Sequence, residues 1–224
     1  MKIKHRRVSA GIEQSLKQDN IIKQQLGMIS TRTIVILVIL GVIILYSIMS
    51  YNNLVGQNQA VNSSWAQVQN QYQRRMDLIP NLVSTVKGEA NFEKSTLNDV
   101  INARAKASQI TMSPELLNNP EQFQKFQQAQ GNLGSSLSRL MVVVEKYPDL
   151  KTNAQFAQLM DEVAGTENRI AVSRRDFNNT VQQYDTAIAL FPKNIFANLF
   201  GFKNKEYFKA DDGAAKAPTI NFNN

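Results

Sequence analysis

The chain has no cysteine and a single histidine, His5, in 224 residues. Without cysteine there are no disulfides, thiolate metal sites or cysteine nucleophiles. With only one histidine, close to the N-terminus, zinc sites built on imidazole, His-assisted serine hydrolysis and imidazole proton relays lack their central residue. Acidic residues are also outnumbered, 18 against 25 basic, for a net charge of +7. The excess is local: residues 1–33 hold seven Lys/Arg against Glu13 and Asp19 and carry +5, so the remainder carries only +2. That remainder has no stripe of Lys/Arg to follow a phosphate backbone, and nucleic acid is set aside as a partner. The length accommodates one membrane segment and one medium domain, not two enzymatic domains.

What is present begins with residues 33–51, TIVILVILGVIILYSIMSY, which carry no charge. Nineteen helical residues span about 28 Å, roughly the hydrocarbon thickness of a bilayer. Ile, Val and Leu on every face argue for a transmembrane helix over a core helix. The run is long, and SIMSYNN offers no A-x-A-like cleavage site, so it is expected to stay as a signal anchor. Arg32 and the basic arm (1–32) lie before it, and the next charge after Tyr51 is Arg74. Positive-inside reasoning then puts the N-terminus in the cytosol and the rest in the periplasm or outside the cell, anchored in the inner or cell membrane.

Beyond the membrane segment, positions of one face recur at three-four spacing: Leu54, Asn58, Val61, Trp65, Val68, Tyr72, Met76, Ile79, Val83 and Val86. This is one helical face. A second helix is expected from an N-cap at Asn91 to just before Gln109. A third runs from Phe123 through Phe126, Gln130, Leu133, Leu137 and Leu140 to Val144. Ser113-Pro114 and Asn119-Pro120 each place a capping side chain before a proline. The fourth runs through Phe156, Leu159, Val163, Thr166, Ile170, Ser173, Phe177, Val181, Tyr184, Ile188 and Phe191, with Pro192 as its stop. The expected fold is all-α: an N-terminal transmembrane helix and an antiparallel four-helix up-down bundle (52–193) with long first and fourth helices. An aromatic amphipathic segment (194–208) and a flexible tail (209–224) follow. In the aromatic segment Phe196, Phe200, Phe202, Tyr207 and Phe208 either touch a membrane interface or close the end of the bundle.

The segments YNNLV (51–55), RRMDLIPNLVSTVKG (74–88), ARA (103–105), YPDLK (147–151), TENRIA (166–171), FP (191–192) and GFKNKEYF (201–208), with Trp65, Arg174 and Asn178, occur in order across the chain. Together they resemble the LemA family of bacterial membrane proteins over about residues 51–208. The resemblance implies one N-terminal transmembrane helix, a helical bundle and no established catalysis or cofactor. It also implies envelope partners, among them membrane proteases and TPM-domain proteins, and a relative in magnetosome membrane formation. The chain departs from the family in a longer N-terminal arm and in Phe92, which stands before Glu93 where a histidine is usual.

The candidate site residues follow these motifs: Arg74, Arg75, Asp77, Pro80, Asn81, Glu93, Arg104, Glu167, Asn168, Arg169, Arg174 and Asn178. On a helix Arg74 and Asp77 are in reach of each other. Arg74 or Arg75 is expected to meet Glu167 and fix the register of the first and fourth helices. Pro80 either bends a helix or separates two. RRMDLIPNLV reads first as a structural corner, then as a partner-binding surface, with catalysis last. The expected function is a membrane-anchored scaffold or adaptor for envelope proteins, not an enzyme, with room for homo-oligomerisation. The alternative is a membrane-remodelling or lipid-interacting module acting through 194–208.

Overall fold

The computed structural model describes residues 30–89 and 92–209. Among them there is helix, turn and extended loop and no strand. The expected Asn91 cap, most of the basic arm and nearly all of the tail lie outside the described residues. The chain divides into two compact units at Ser50/Tyr51.

Among the described residues the first helix, α1, runs Thr31–Lys87. Its apolar stretch is almost wholly exposed, with Ile34, Val38 and Leu45 each more than half accessible. A core helix would bury these side chains, and a helix this long and apolar is suited to cross a membrane. The helix continues through Pro80 without interruption, so the proline does not separate two helices.

In the second unit α1 is followed by α2 (Lys94–Ser108), a 3-10 turn at Pro114–Asn118, α3 (Pro120–Val144), a short α4 (Pro148–Thr152), α5 (Ala154–Ala189) and α6 (Lys193–Phe200). Starts and stops have local causes. Asn119 Oδ1 accepts from Gln122 N at 3.1 Å, and Pro120 occupies the first turn of α3, where its missing N–H is no loss. Asn153 Oδ1 caps α5 by accepting from Gln155 N and Phe156 N. The N-cap of α2 is Glu93, and no side-chain bond caps that end. α5 ends at Ala189, short of Pro192, so Phe191 leaves the expected apolar face and is 80% exposed. Gly201, at φ 77°, closes α6 in the left-handed conformation that glycine adopts without strain, and Phe202 N donates to Ala197 O at 2.9 Å. The chain then returns as an extended strap, residues 202–209.

The apolar faces meet in two clusters. One is largely aliphatic: Met76, Ile79, Leu82 and Val86 of α1 with Val100, Leu133, Leu137, Leu140 and Val163. The other is aromatic, with Trp65 packed among Phe123, Phe126, Phe177 and Phe208 at centroid distances of 5.4–6.1 Å. Each such side chain contributes about 1.5–3 kcal/mol by leaving water.

Candidate functional site

Between the two clusters the core is interrupted by one polar layer. On α1 it falls between Tyr72 and Met76, on α3 between Phe126 and Leu133, and on α5 between Val163 and Ile170. Its members are Arg75, Gln130 and Thr166, all buried, with Glu167 at the edge. Arg75 Nη1 donates to Glu167 Oε1 at 2.8 Å, and Nη2 donates to Gln130 O at 3.2 Å and to Gln130 Oε1. Its guanidinium lies 5.0 Å from the Tyr72 ring centroid. Arg75 Nε is buried with no hydrogen-bond partner among the described residues. A charge in this position requires these partners, because an unpaired buried guanidinium costs several kcal/mol. Gly134 of α3 lies alongside, where a Cβ would stand in ordinary contact with Nη1 at 3.6 Å.

Around this layer the other arginines are also engaged. Arg74 Nη2 pairs with Glu162 Oε2 at 2.9 Å on the surface. Arg74 and Asp77 therefore take other partners than each other: Asp77 Oδ1 accepts from Gln73 Nε2 at 2.7 Å, one turn back. Arg169 folds back over Gly165, donating from Nη2 to Thr166 Oγ1 at 2.8 Å and from Nε to Gln71 Oε1 at 3.2 Å. Asn168 is exposed.

Pro80 has no N–H to give the carbonyl four residues earlier, that of Met76. Arg104 of α2 fills the gap, its Nε donating to Met76 O at 3.1 Å. The ARA and RRMDLIPNLV segments thus meet in one contact. Asn81 is exposed, its carbonyl accepting from Thr85 Oγ1 at 3.0 Å, and Glu93 Oε1 accepts from Ser95 Oγ at 2.7 Å.

Arg174 and Asn178 hold the strap. The Asn178 amide pairs both ways with the Phe208 backbone, Nδ2 to O and N to Oδ1, each at 2.9 Å. Arg174 lies over the Phe208 ring at 4.7 Å and donates to Lys209 O. Gln127 Nε2 donates to Tyr207 O from the α3 side, and Tyr184 Oη donates to Lys203 O at 3.1 Å. Asp185 Oδ1 accepts from Lys205 N at 3.1 Å. Burial, above all, raises the Asp185 carboxyl and lowers the Lys205 ammonium relative to their ordinary pKa values. Burial, followed by the Asp185 charge, pushes the Tyr184 phenol up to about 12.

Of the two places expected for the aromatic segment, Phe208 in the strap takes the one that closes the core. Phe208 is buried among Trp65, Phe123 and Phe177 and is closed to a membrane interface, and Tyr207 and Phe202 are half-buried against the same cluster. Phe196 is also half-buried, and Phe200 is the exposed member of the set.

Next to the polar layer a cleft of about 530 Å³ opens between α1, α3 and α5. Arg75, Glu167 and Arg174 form its charged wall, and Gly131, Ser135 and Ser138 line it from α3. The small residues recur at helical spacing, so a second backbone can approach α3 closely there. The sequence signal for the layer was Gln130 and Thr166, polar residues standing at core positions of two helices. Gln127, Tyr184 and Asp185 carried no comparable signal, since their roles depend on where the strap returns.

The family model for the LemA family matches residues 64–222, and the chain belongs to that family. It is similar to magnetosome proteins MamQ 1 and MamQ 2 of Paramagnetospirillum magneticum, 28% identical over 189 residues, covering 77% of this chain and 69% of each relative. MamQ of Magnetospirillum gryphiswaldense is 27% identical over 177 residues, covering 72% of this chain and 65% of the relative. Protein LemA of Metamycoplasma hominis is 23% identical over 161 residues, covering 72% of this chain and 69% of the relative.

Proposed function

We propose that the chain is a membrane-anchored scaffold or adaptor. In this reading α1, α2, α3 and α5 form an antiparallel four-helix bundle displayed on the periplasmic or outer side, which binds envelope proteins without covalent chemistry. The observation that supports it is the state of the charged groups around the cleft. Arg75 is held by Glu167 and Gln130, and Arg174 by the strap, so these groups set a fixed shape and polarity. The small residues of α3 leave open space beside them. Fixed polar groups beside open space suit recognition of a polar helix or loop of a partner.

The reading is tested by co-purification of the full chain from membranes solubilised in mild detergent. Ser138→Trp places an indole in the cleft, whereas Val142→Trp adds the same group one turn further along α3, where Val142 is 68% exposed. A membrane protein recovered with the wild type and Val142→Trp but lost with Ser138→Trp supports the proposal. Equal recovery with both variants, or no stoichiometric companion with any of the three, contradicts it.

A further inference from the structure

Helix α6 has two unlike faces. On one, Ala197 is buried against the aromatic cluster. On the other, Ile195 (55% exposed) and Leu199 (74%) stand one turn apart, with Phe200 at the end of the helix and Leu190 and Phe191 (80%) exposed in the turn before it. Among the described residues this is the exposed apolar surface of the second unit with the most large side chains, and soluble surfaces rarely leave such side chains in one group.

The position of α6 is fixed against the start of that unit. Lys193 Nζ donates to Asn53 Oδ1 at 3.0 Å. The Phe200 ring packs edge-on against Tyr51 at a centroid distance of 5.0 Å, and Phe202 stands at 6.0 Å from the same ring. Tyr51 is the last residue of the 33–51 stretch suited to cross a membrane. At 1.5 Å per helical residue Asn53 lies about 3 Å beyond that edge. The polar headgroup layer is roughly 5–8 Å deep on each side of the hydrocarbon. Tyrosine at this level is the usual aromatic anchor of a membrane boundary.

We propose that the outer face of α6, with Ile195 and Leu199, and the turn before it, with Phe191, lie in the headgroup–acyl boundary of the membrane that residues 33–51 are suited to cross, giving the helical domain a second attachment to lipid. Continuity with the apolar stretch through Tyr51 selects lipid over a protein partner. A two-turn helix also presents far less than the roughly 800 Å² per partner that a stable protein interface buries. The inference does not depend on the cleft. It moves the lipid contact expected of 194–208 to the turn before α6 and to the outer face of that helix.

The absence of cysteine makes the test direct. Phe191→Cys, Leu199→Cys and, as a water-exposed reference, Val142→Cys are each made in the full chain, spin-labelled and reconstituted in vesicles of phosphatidylcholine and phosphatidylglycerol. Each side chain is more than two-thirds exposed, and Trp65 emission verifies that each variant is folded. The expected result is a ratio of oxygen to nickel-chelate collisions several-fold higher at 191 and 199 than at 142. Nickel access at 191 and 199 equal to that at 142 would overturn the inference. So would nickel exclusion with spin–spin broadening that disappears on dilution with unlabelled chain, which would assign the face to a second copy. Exclusion of both reagents, as under protein, would also overturn it.

Discussion

Arg104 compensates for Pro80: its Nε stands 3.1 Å from the Met76 carbonyl that the proline leaves without a helical donor. Removing Arg104 leaves that carbonyl unsatisfied in a half-buried place. Arg104→Met is expected to lower stability by about 1–3 kcal/mol. In a Pro80→Ala background the alanine N–H takes over the bond, and the same substitution is expected to cost little. Urea unfolding of the four variants measures the coupling, which should fall within about 0.5–3 kcal/mol. Additive effects would show that the contact does not serve the proline.

Arg75 and Glu167 differ from Arg74 and Glu162 in burial rather than in chemistry. The Arg75 side chain is 3% exposed, whereas that of Arg74 is 57% exposed. Glu167→Ala strands part of a buried guanidinium and is expected to lose about 1–3 kcal/mol, lowering Tm by several degrees. Glu162→Ala breaks a surface pair, which typically contributes about 0–1 kcal/mol. Equal and small shifts in Tm would remove the polar layer from the stability of the domain.

Phe208 closes the aromatic cluster from a strap, not from a helix. Phe208→Ala is expected to destabilise the domain by about 3–5 kcal/mol. The single tryptophan, Trp65, lies against the Phe208 ring at 6.1 Å, so its emission should shift to the red in this variant. Phe200→Ala, at an exposed position, should leave the emission unchanged.

The strap also carries a pH dependence. The Tyr184 phenol titrates at about 12 in the folded chain, above its ordinary value of 10.0. Between these values the unfolded chain has released the proton and the folded chain retains it. This contribution to stability is therefore intact below about pH 10 and falls as pH rises towards about 12. Tyr184→Phe removes the Lys203 hydrogen bond and lowers stability at all pH values, but the loss attributable to this group on going from about pH 9.5 to 11.5 should disappear. Urea titrations followed by Trp65 emission at the two pH values decide it, with an unchanged slope counting against the assignment.

The helices and their buried faces were legible in the sequence because three-four periodicity reports burial directly. Every apolar position named from Val61 to Val86 of α1 is buried, as are the positions named from Phe123 to Val144 in α3. The end of α5 was misread because Phe191 continues the period although the helix has already stopped, and periodicity does not register a chain that has turned away. Arg104 and Pro80 were each visible, but their meeting depends on how α2 lies against α1. The strap was least legible: in sequence Phe208 looks like Phe200, and it is side chains distant in sequence, such as Asn178 and Gln127, that hold the strap backbone where Phe208 is buried.

The proposed role rests on the helical domain standing across the membrane from the N-terminus. Asn98 is exposed on α2, and Asn98→Cys gives the full chain a unique thiol for a membrane-impermeant maleimide. In a Gram-negative host the reagent is chosen to cross the outer membrane, and lysed cells give the full labelling level. The account predicts labelling of intact cells close to that level. Labelling only after lysis would contradict it, placing the domain and its partners in the cytosol.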